Sequence, residues 1–389
     1  MKKFFDNLIV KLVVGVAAGI AVGLAADART IGIINTVKFI LGQVISFMVP
    51  LIIVGFIAPA ITQLRANASK MLGTMIVLAY TSTVLACIMS MFTGYALIPG
   101  LNIVTNPEGL RPIPDLIFKL EIPALFSVMS ALVLSLLLGM AVIWTKAELV
   151  EKFLLEFNKI VLALVNRVVI PILPVFIACT FATLAYEGSI TQQAPVFLKI
   201  IVIVMVLHYI WLAVLYTVAG IISRKSPWEV LKHYGPAYLT AVGTMSSAAT
   251  LSVALDCAGR SKVLSDEVRD FAIPLGATVH LCGSALTETF FVMAISKVLY
   301  GFIPDFGTMF LFIILLGIFA VGAPGVPGGT VMASLGIIIS VLGFNDTGVA
   351  LMLTVFALQD SFGTACNVTG DGALALMLEG LFGKKEEGL

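Results

Sequence analysis

The stretch AVGAPGVPGGTVMAS, residues 320–334, lies between two strongly apolar runs, TMFLFIILLGIF (308–319) and LGIIISVLGF (335–344). Six of its fifteen residues are Gly or Pro, which break helices or leave backbone groups unpaired. Within a membrane, irregular backbone is tolerated only inside protein or along a cavity. We therefore predict that this interruption marks a functional site.

The composition predicts an all-α polytopic membrane protein. Of the 389 residues, 60% are hydrophobic and 12% are charged, and the mean hydropathy is +1.09, which exceeds what a soluble core can bury. The net charge of +1 gives no indication of a nucleic-acid partner. The five cysteines are scattered without metal-ligand spacing and are expected to act as small hydrophobic residues.

Six plain spans and two interrupted segments follow from the apolar runs, since a crossing helix needs about 20 residues. The plain spans are predicted at 8–26, 36–63, 71–98, 121–145, 152–186 and 195–223. The interrupted segments, hairpin 1 (236–257) and hairpin 2 (307–343), each precede a long helix, at 267–300 and 346–382. This gives eight spanning helices and two hairpins.

The basic residues fix the expected orientation. They fall on one side if both termini are cytoplasmic, and the loops flanking hairpin 1, SRKSPWEVLKHYG and CAGRSKVLSDEVRD, are both basic. Hairpin 1 is then re-entrant from the cytoplasm and hairpin 2 from outside, an inverted repeat that places both turns near the bilayer midplane. The alternative, that Gly and Pro only kink ordinary spans, would misplace the basic loops.

The last helix carries a polar stripe. In LQDSFGTACNVTGDGALAL, Asp360, Thr364, Asn367 and Asp371 are spaced to share one helical face. Buried carboxylates need a cation or donors, so an ion or an ammonium group is expected here. The alternative is a stripe that hydrogen-bonds neighbouring helices.

Two further segments supply oxygen and amide groups. In IPLGATVHLCGSALTETFF, an unwound turn between Gly276 and Gly283 would turn carbonyls toward an ion, and hard cations prefer such oxygens. In GTMSSAATLSV, Ser246 and Ser247 lie where a half-helix N-terminus would attract a carboxylate. The alternative for Ser246 is that it and the small residues that follow serve only close helix packing.

The motifs SSAAT, IPLGAT, GVPGG and NVTGD together resemble the dicarboxylate/amino acid:cation symporters, the family of the glutamate transporters. The resemblance covers essentially the whole chain. It implies a homotrimer, and a transport group (71–98 and 232–389) that moves as an elevator against a scaffold (1–70 and 121–223).

The resemblance also implies site residues. The substrate-binding set is Ser246, Ser247, Ser284, Gly325, Val326, Asp360, Thr364 and Asn367. Gly276, Asn367 and Asp371 match one sodium site, and Thr278 with the carbonyls of Ala320, Val321 and Ala323 matches another.

Three departures from the family pattern bear on specificity. Gly363 stands where acidic-amino-acid transporters carry an arginine. The stretch LQDS, without an arginine, is similar to that of the serine/threonine members, so a small neutral substrate is expected. His280 and Cys282 replace Asn and Asp, so a third sodium site is not expected. Glu288, with His280, is a candidate for proton coupling. The alternative is a protonated Glu288 and a structural His280.

These observations predict a secondary symporter in the cytoplasmic (inner) membrane that imports a small, neutral amino acid with sodium. A proton-coupled symporter of a carboxylic or dicarboxylic acid is the alternative, and a gated channel or non-transporting receptor is more remote. No cofactor besides the coupling ions and no nucleic-acid partner is expected. The chain shows no nucleophile–base pattern, and its three histidines share no metal-ligand spacing, so it is not expected to be an enzyme.

Overall fold

A computed structural model describes residues 8–66, 70–101 and 111–383, in which all regular secondary structure is helical. The first seven helices are α1 (Leu8–Ala25), α2 (Ala28–Ala66), α3 (Lys70–Leu97), α4 (Val128–Thr145), α5 (Glu148–Leu164), α6 (Ile170–Glu187) and α7 (Ser189–Ser223). The next eight are α8 (Trp228–Leu231), α9 (Gly235–Thr244), α10 (Ser247–Gly259), α11 (Asp266–Val279), α12 (Cys282–Tyr300), α13 (Phe306–Gly322), α14 (Gly329–Ser340) and α15 (Asp346–Phe382). The all-α expectation is confirmed.

Six helical segments in the described ranges are long and apolar enough to cross a membrane. They are Ala28–Pro59, Lys70–Leu101, Glu148–Glu187, Val196–Ser223, Asp266–Tyr300 and Asp346–Phe382. Helices α1 and α4 have 18 residues each. The protein is therefore a multi-pass membrane protein, and the count of eight crossings stays a prediction.

Four predicted spans differ in detail from the structure. The helices expected at 36–63 and 195–223 begin earlier, at Ala28 and Ser189. The span expected at 121–145 begins only at Val128, because Pro123 interrupts the start of the expected span and Ser127 caps the helix that follows. The span expected at 152–186 is two helices joined by a π-helical turn, Val165–Val169. A single inserted residue of this kind is not visible in the apolar pattern.

Both interrupted segments form pairs of short helices that contact each other. In hairpin 1, α9 has 10 residues and α10 has 13, lengths of about 15 and 20 Å. In hairpin 2, α13 has 17 residues and α14 has 12, or about 26 and 18 Å. Each helix is shorter than the roughly 30 Å hydrocarbon layer, as expected of re-entrant hairpins.

The interior of the protein is built from α11, α12 and α15. The most apolar window of Asp266–Tyr300 is 94% buried and that of Asp346–Phe382 is 83% buried, against 31–59% for the other four crossing segments. The first of these is interrupted at His280 and Leu281, whose backbones are non-helical. The predicted unwound turn therefore lies at the centre of the molecule, against α15.

An apolar cleft of about 270 Å³ lies between α2, α3, α4 and hairpin 2. Its lining includes Ile57 and Ile61 of α2 and Val321 and Gly322 of α13, so it follows the expected boundary between scaffold and transport group. Helix α7, expected in the scaffold, makes its most extensive contacts with α15. The division into two groups stays a prediction.

Candidate functional site

The turns of the two hairpins contact each other. Hairpin 1 turns at Met245, which has a left-handed backbone (φ 52°), and at Ser246, which is extended. The Ser246 hydroxyl donates to the Gly325 carbonyl (2.7 Å), and the Ala248 amide donates to the same oxygen (3.2 Å). Ser246 also accepts from the Ala249 amide at 3.2 Å, which caps α10. One serine therefore begins a helix and joins both hairpins.

Gly325 permits this approach because it has no side chain. A Cβ atom there would lie 2.7 Å from the carbonyl oxygen of Ala277, at the end of α11. It would also lie 3.4 Å from the Ala248 amide. Hairpin 2 is thus pressed against both hairpin 1 and the unwound turn, and a residue larger than glycine would force them apart.

Asp360 is held by the turn of hairpin 2. Its Oδ2 accepts from the Gly328 amide at 2.7 Å, and its Oδ1 lies 3.4 Å from the Thr364 hydroxyl, which donates to it. Gly328 has φ +71°, a backbone that favours glycine. The carboxylate is 4% exposed, with no lysine or arginine in ion-pair distance among the described residues. In its ionised form this carboxylate would have no charge partner among the described residues.

Asn367 satisfies the exposed amides that begin α12. Its Oδ1 accepts from the Gly283 amide (2.7 Å) and the Ser284 amide (3.2 Å), and its Nδ2 donates to the Ser284 hydroxyl (2.9 Å). The first amides of a helix have no partner within it, and here a residue of α15 supplies one. The predicted substrate residues Asn367 and Ser284 are thus in direct contact.

Asp371 contacts the unwound turn from the other side. Its Oδ1 lies 3.0 Å from His280 Nδ1, and His280 Nε2 lies 2.8 Å from the hydroxyl of Ser82 in α3. A Cβ on Gly276 would lie 2.7 Å from the same Asp371 oxygen, so the carboxylate rests on the bare backbone of α11. The structure therefore brings Gly276, Asn367 and Asp371 to the same interruption of the same helix pair.

The second predicted ion set is arranged differently. The Thr278 side chain is exposed, and its hydroxyl donates to Leu275 within α11 (2.7 Å). The Ala320 carbonyl accepts from the Ala323 amide at the end of α13 (3.4 Å). Ala323 is buried, and Val321 is half-buried and lines the cleft beside α2. This ion site stays a prediction.

Helices α12 and α15 meet backbone to backbone at two glycines. A Cβ on Gly283 would lie 2.5 Å from the Gly363 carbonyl, and a Cβ on Gly363 would lie 3.2 Å from the Ser284 Cα. A side chain at position 363, where acidic-amino-acid transporters carry arginine, would therefore require α12 to shift slightly away from α15.

Glu288 is fully buried in α12. One of its oxygens accepts a short hydrogen bond from the Ser334 hydroxyl of α14, and the other has no partner among the described residues. Ser334 was not singled out from the sequence. Ser334 is the last residue of the stretch 320–334 and lies in hairpin 2. Its hydrogen bond therefore links Glu288 to that hairpin, so a change in the charge of Glu288 would act on hairpin 2.

His208 is a second residue that the sequence analysis did not assign to the site. Its Nε2 lies 3.1 Å from the Gly283 carbonyl and 2.9 Å from the Thr287 hydroxyl. The backbone of Gly283 is thereby held at two points: its amide donates to Asn367, and its carbonyl contacts His208. A buried polar residue within a membrane span is the signal that could have indicated it.

Two opposed hairpins that close over acidic and amide side chains, beside a broken helix, point to transport. A family comparison gives the same indication, because residues 8–381 match the sodium:dicarboxylate symporter family. The chain belongs to that family. It is therefore a membrane transporter and not an enzyme.

Individual relatives are distant and differ in coverage. A serine/threonine transporter, SstT of Streptococcus agalactiae serotype III (strain NEM316), is 27% identical over 414 residues, covering 99% of this chain and all of the relative. Human excitatory amino acid transporter 2 is 28% identical over 228 residues, covering 57% of this chain and 39% of the relative. Human excitatory amino acid transporter 1 is 28% identical over 194 residues, covering 50% of this chain and 35% of the relative. The chain thus aligns with well under half the length of the excitatory transporters.

Proposed function

We propose that this protein imports a small neutral amino acid together with sodium, by an elevator movement of its transport group. The main support for this proposal is the chemistry of the groups next to hairpin 2. Asp360 offers a buried negative charge to an ammonium group, while the first turns of α10 and α14 offer positive helix ends to a carboxylate. Gly363 offers no group for a third charge.

The neutral substrate follows from position 363. A side-chain carboxylate would need a bidentate guanidinium or an equivalent partner, and a Cβ at 363 already approaches the Ser284 Cα at 3.2 Å. The name of the relative that aligns over its whole length, a serine/threonine transporter, agrees with this substrate class. Besides Asp360, the proposed substrate residues are Thr364 and Asn367 of α15 and Ser284 of α12. Ser246, Ser247, Gly325 and Val326, at the two hairpin turns, complete the proposed set.

Sodium is proposed as the coupling ion at Asp371, with Gly276 and Asn367. The family description supports sodium, and the Asp371 carboxylate, which rests on the bare backbone of Gly276 in α11, supplies the hard oxygens that sodium prefers. A second sodium is proposed at Thr278 and the carbonyls of Ala320, Val321 and Ala323. A third is not proposed, because the His280 ring fills the space between Asp371 and Ser82.

A proton is proposed to accompany sodium through Glu288. This residue is 0% exposed, and no described lysine or arginine lies within ion-pair distance of it, so its ionised form has no charge partner. Its link to Ser334 would convey its protonation to hairpin 2. His280 stays a candidate only as the partner of Asp371.

Opening hairpin 2 would break its hydrogen bonds to hairpin 1, the bond from the Gly328 amide to Asp360 and the bond from Ser334 to Glu288. The two turns share the two hydrogen bonds to the Gly325 carbonyl, each contributing about 0.5–1.5 kcal/mol. The trimer, the inner membrane and the cytoplasmic termini complete the proposal and rest on the family resemblance and the basic loops.

Uptake into proteoliposomes tests the proposal. With an inward sodium gradient, radiolabelled serine or threonine should accumulate above equilibrium, and an excess of unlabelled aspartate should not compete. Replacing outside sodium with choline should abolish accumulation, and a pH-sensitive dye inside should report proton entry with substrate.

The same assay separates the alternatives. Accumulation of a dicarboxylate driven by a pH gradient without sodium would establish the proton-coupled reading instead. Passive equilibration without accumulation would indicate a channel, and binding without any uptake would indicate a receptor. Each of these results contradicts the sodium proposal.

A further inference from the structure

A polar cavity of about 1020 Å³ lies far from the hairpin turns, where three crossing helices reach the edge of the membrane. Its walls come from the end of α7, the connection before α11, and the end of α15. The crossing segments there end at Ser223, begin at Asp266 and end at Phe382. The cavity is therefore at the depth of lipid headgroups rather than in the hydrocarbon layer.

One wall of the cavity is already satisfied by the protein. Lys225 Nζ lies 2.9 Å from Glu379 Oε1 and 3.0 Å from the Val263 carbonyl. The other Glu379 oxygen accepts from the Ser265 amide (2.9 Å) and hydroxyl (2.7 Å). This ion pair ties the three elements together, and neither member is left to bind a ligand.

Two other cations lining the cavity are not committed in this way. Arg224 and Lys262 are exposed, and neither side chain has a hydrogen bond or ion pair with any described residue, although Lys262 lies near enough to Glu229, the partner of Lys232, for their charges to interact. Neighbouring basic residues do have such pairs: Arg260 with Asp256 (2.6 Å) and Lys232 with Glu229 (2.7 Å).

The opposing charge in the cavity is small. Glu267, exposed in the first turn of α11, is the lining carboxylate that remains once Lys225 has paired with Glu379. Apolar side chains also line the cavity, among them Ile222 and Leu264. Two free cations beside apolar surface, at headgroup depth, suit an amphiphile whose head carries negative charge.

We propose that this cavity binds a phosphate-bearing anion, with Arg224 and Lys262 as its charge partners. An anionic phospholipid head, with its acyl chains against the apolar wall, and a free phosphate share this chemistry. The site lies outside the proposed transport site, and its test reads binding rather than uptake, so the two proposals fail independently.

Binding can be measured on the full-length protein in a neutral detergent by thermal unfolding, because a ligand of the native state raises the melting temperature. The probes are short-chain phosphatidylglycerol, phosphatidylcholine with the same acyl chains, and inorganic phosphate. Phosphatidylglycerol should stabilise the protein at concentrations at least tenfold below those of phosphatidylcholine, and the effect should weaken with added salt. Stabilisation by inorganic phosphate at equal concentration would identify free phosphate as the source.

Matched double variants assign the effect to the cavity. Arg224→Gln with Lys262→Gln should weaken the response to the effective probe at least tenfold. The control, Arg260→Gln with Lys159→Gln, removes the same two residue types from exposed ion pairs outside the cavity and should respond like the wild type. If Arg224→Gln impairs folding, Lys262→Gln alone, in an exposed connection, should still weaken binding severalfold. Equal responses in the two double variants, or no response to any probe, would overturn the proposal.

Discussion

Asp360 and Asp371 are buried on one face of α15 but have different neighbours. Asp360 is held by the hairpin 2 backbone, and Asp371 contacts His280 and the bare backbone of Gly276. We therefore expect Asp371→Asn to reduce stabilisation by sodium alone to what the second proposed sodium site supplies. Asp360→Asn should keep that stabilisation but weaken substrate binding at least tenfold, because the ammonium group loses its counter-charge. Thermal unfolding with sodium, and then with sodium and substrate, measures both effects.

Each of these variants is the control for the other. Both replace one carboxylate oxygen by an amide nitrogen in the same buried helix, so a general loss of stability would affect the two alike. If Asp371→Asn keeps the wild-type response to sodium, the ion site lies elsewhere.

Residue patterns along one helix were predictable, and contacts between helices were not. The spacing of Asp360, Thr364, Asn367 and Asp371 placed them on one face, because the 3.6-residue period is a local property. The approach of His280 to Asp371 joins residues 91 positions apart. It depends on how α11 ends and how α15 is rotated, which no local spacing contains.

Among the elements, hairpin 1 depends on Ser246 in two ways, as the cap of α10 and as a donor to Gly325. We expect Ser246→Ala to cost about 1 kcal/mol for the cap and to weaken closure of the hairpins in addition. To measure closure, Val326→Cys is introduced into the wild type and into Ser246→Ala, and the rate at which this cysteine reacts with a polar thiol reagent is compared. That rate should rise severalfold.

Ser127→Ala is the matched control for the cap. Ser127 is exposed and caps α4 by accepting from the Ser130 amide at 3.1 Å, and its hydroxyl has no hydrogen bond to the described residues of either hairpin. The Ser127→Ala substitution should lower stability by a similar amount and leave the reaction rate of the cysteine at 326 unchanged. Equal reaction rates in the Ser246 and Ser127 variants would contradict a role of Ser246 in closure.

The contact between α12 and α15 sets a steric limit. Gly283→Ala places a Cβ 2.5 Å from the Gly363 carbonyl, so the helices must separate, at a cost of about 1–3 kcal/mol. Gly73→Ala in α3 meets no atom within 4 Å and should be stabilising by up to about 1 kcal/mol. Thermal unfolding should therefore shift in opposite directions, and a neutral Gly283→Ala would show that the helices are loosely packed there.

Element type was more predictable than element boundaries. Gly and Pro clusters correctly indicated both hairpins and the interruption before α12, because these residues act on their own backbone. The start of α4 at Val128 and the π-helical turn at Val165–Val169 were not anticipated. Pro123 and the capping residue Ser127 could have indicated the start of α4, whereas the apolar run through Val165–Val169 gives no signal for the π-helical turn.

At the scale of the whole molecule, an elevator requires hairpin 2 to slide past α2. These elements are adjacent in the structure: a Cβ on Gly322 would lie 3.5 Å from the Ile57 Cα, beside the apolar cleft of about 270 Å³. That approach is within the reach of a disulfide. The five native cysteines are all buried and unpaired, so an introduced pair should be oxidised selectively.

We expect oxidation of the Ile57→Cys, Gly322→Cys variant to reduce uptake at least tenfold relative to the same variant in its reduced form. Substrate should still raise the melting temperature, because the bond includes no proposed substrate residue. The reduced variant is the reference because Gly322 lies between Val321 and Ala323 of the proposed second sodium site. A reducing agent should restore uptake. Ser127→Cys with Ser130→Cys, whose hydroxyls lie 2.8 Å apart in the first turn of α4, joins no moving parts and should leave uptake unchanged on oxidation. Full uptake by the oxidised Ile57–Gly322 pair would mean that α2 and hairpin 2 move as one body, and that the scaffold must be sought in other helices.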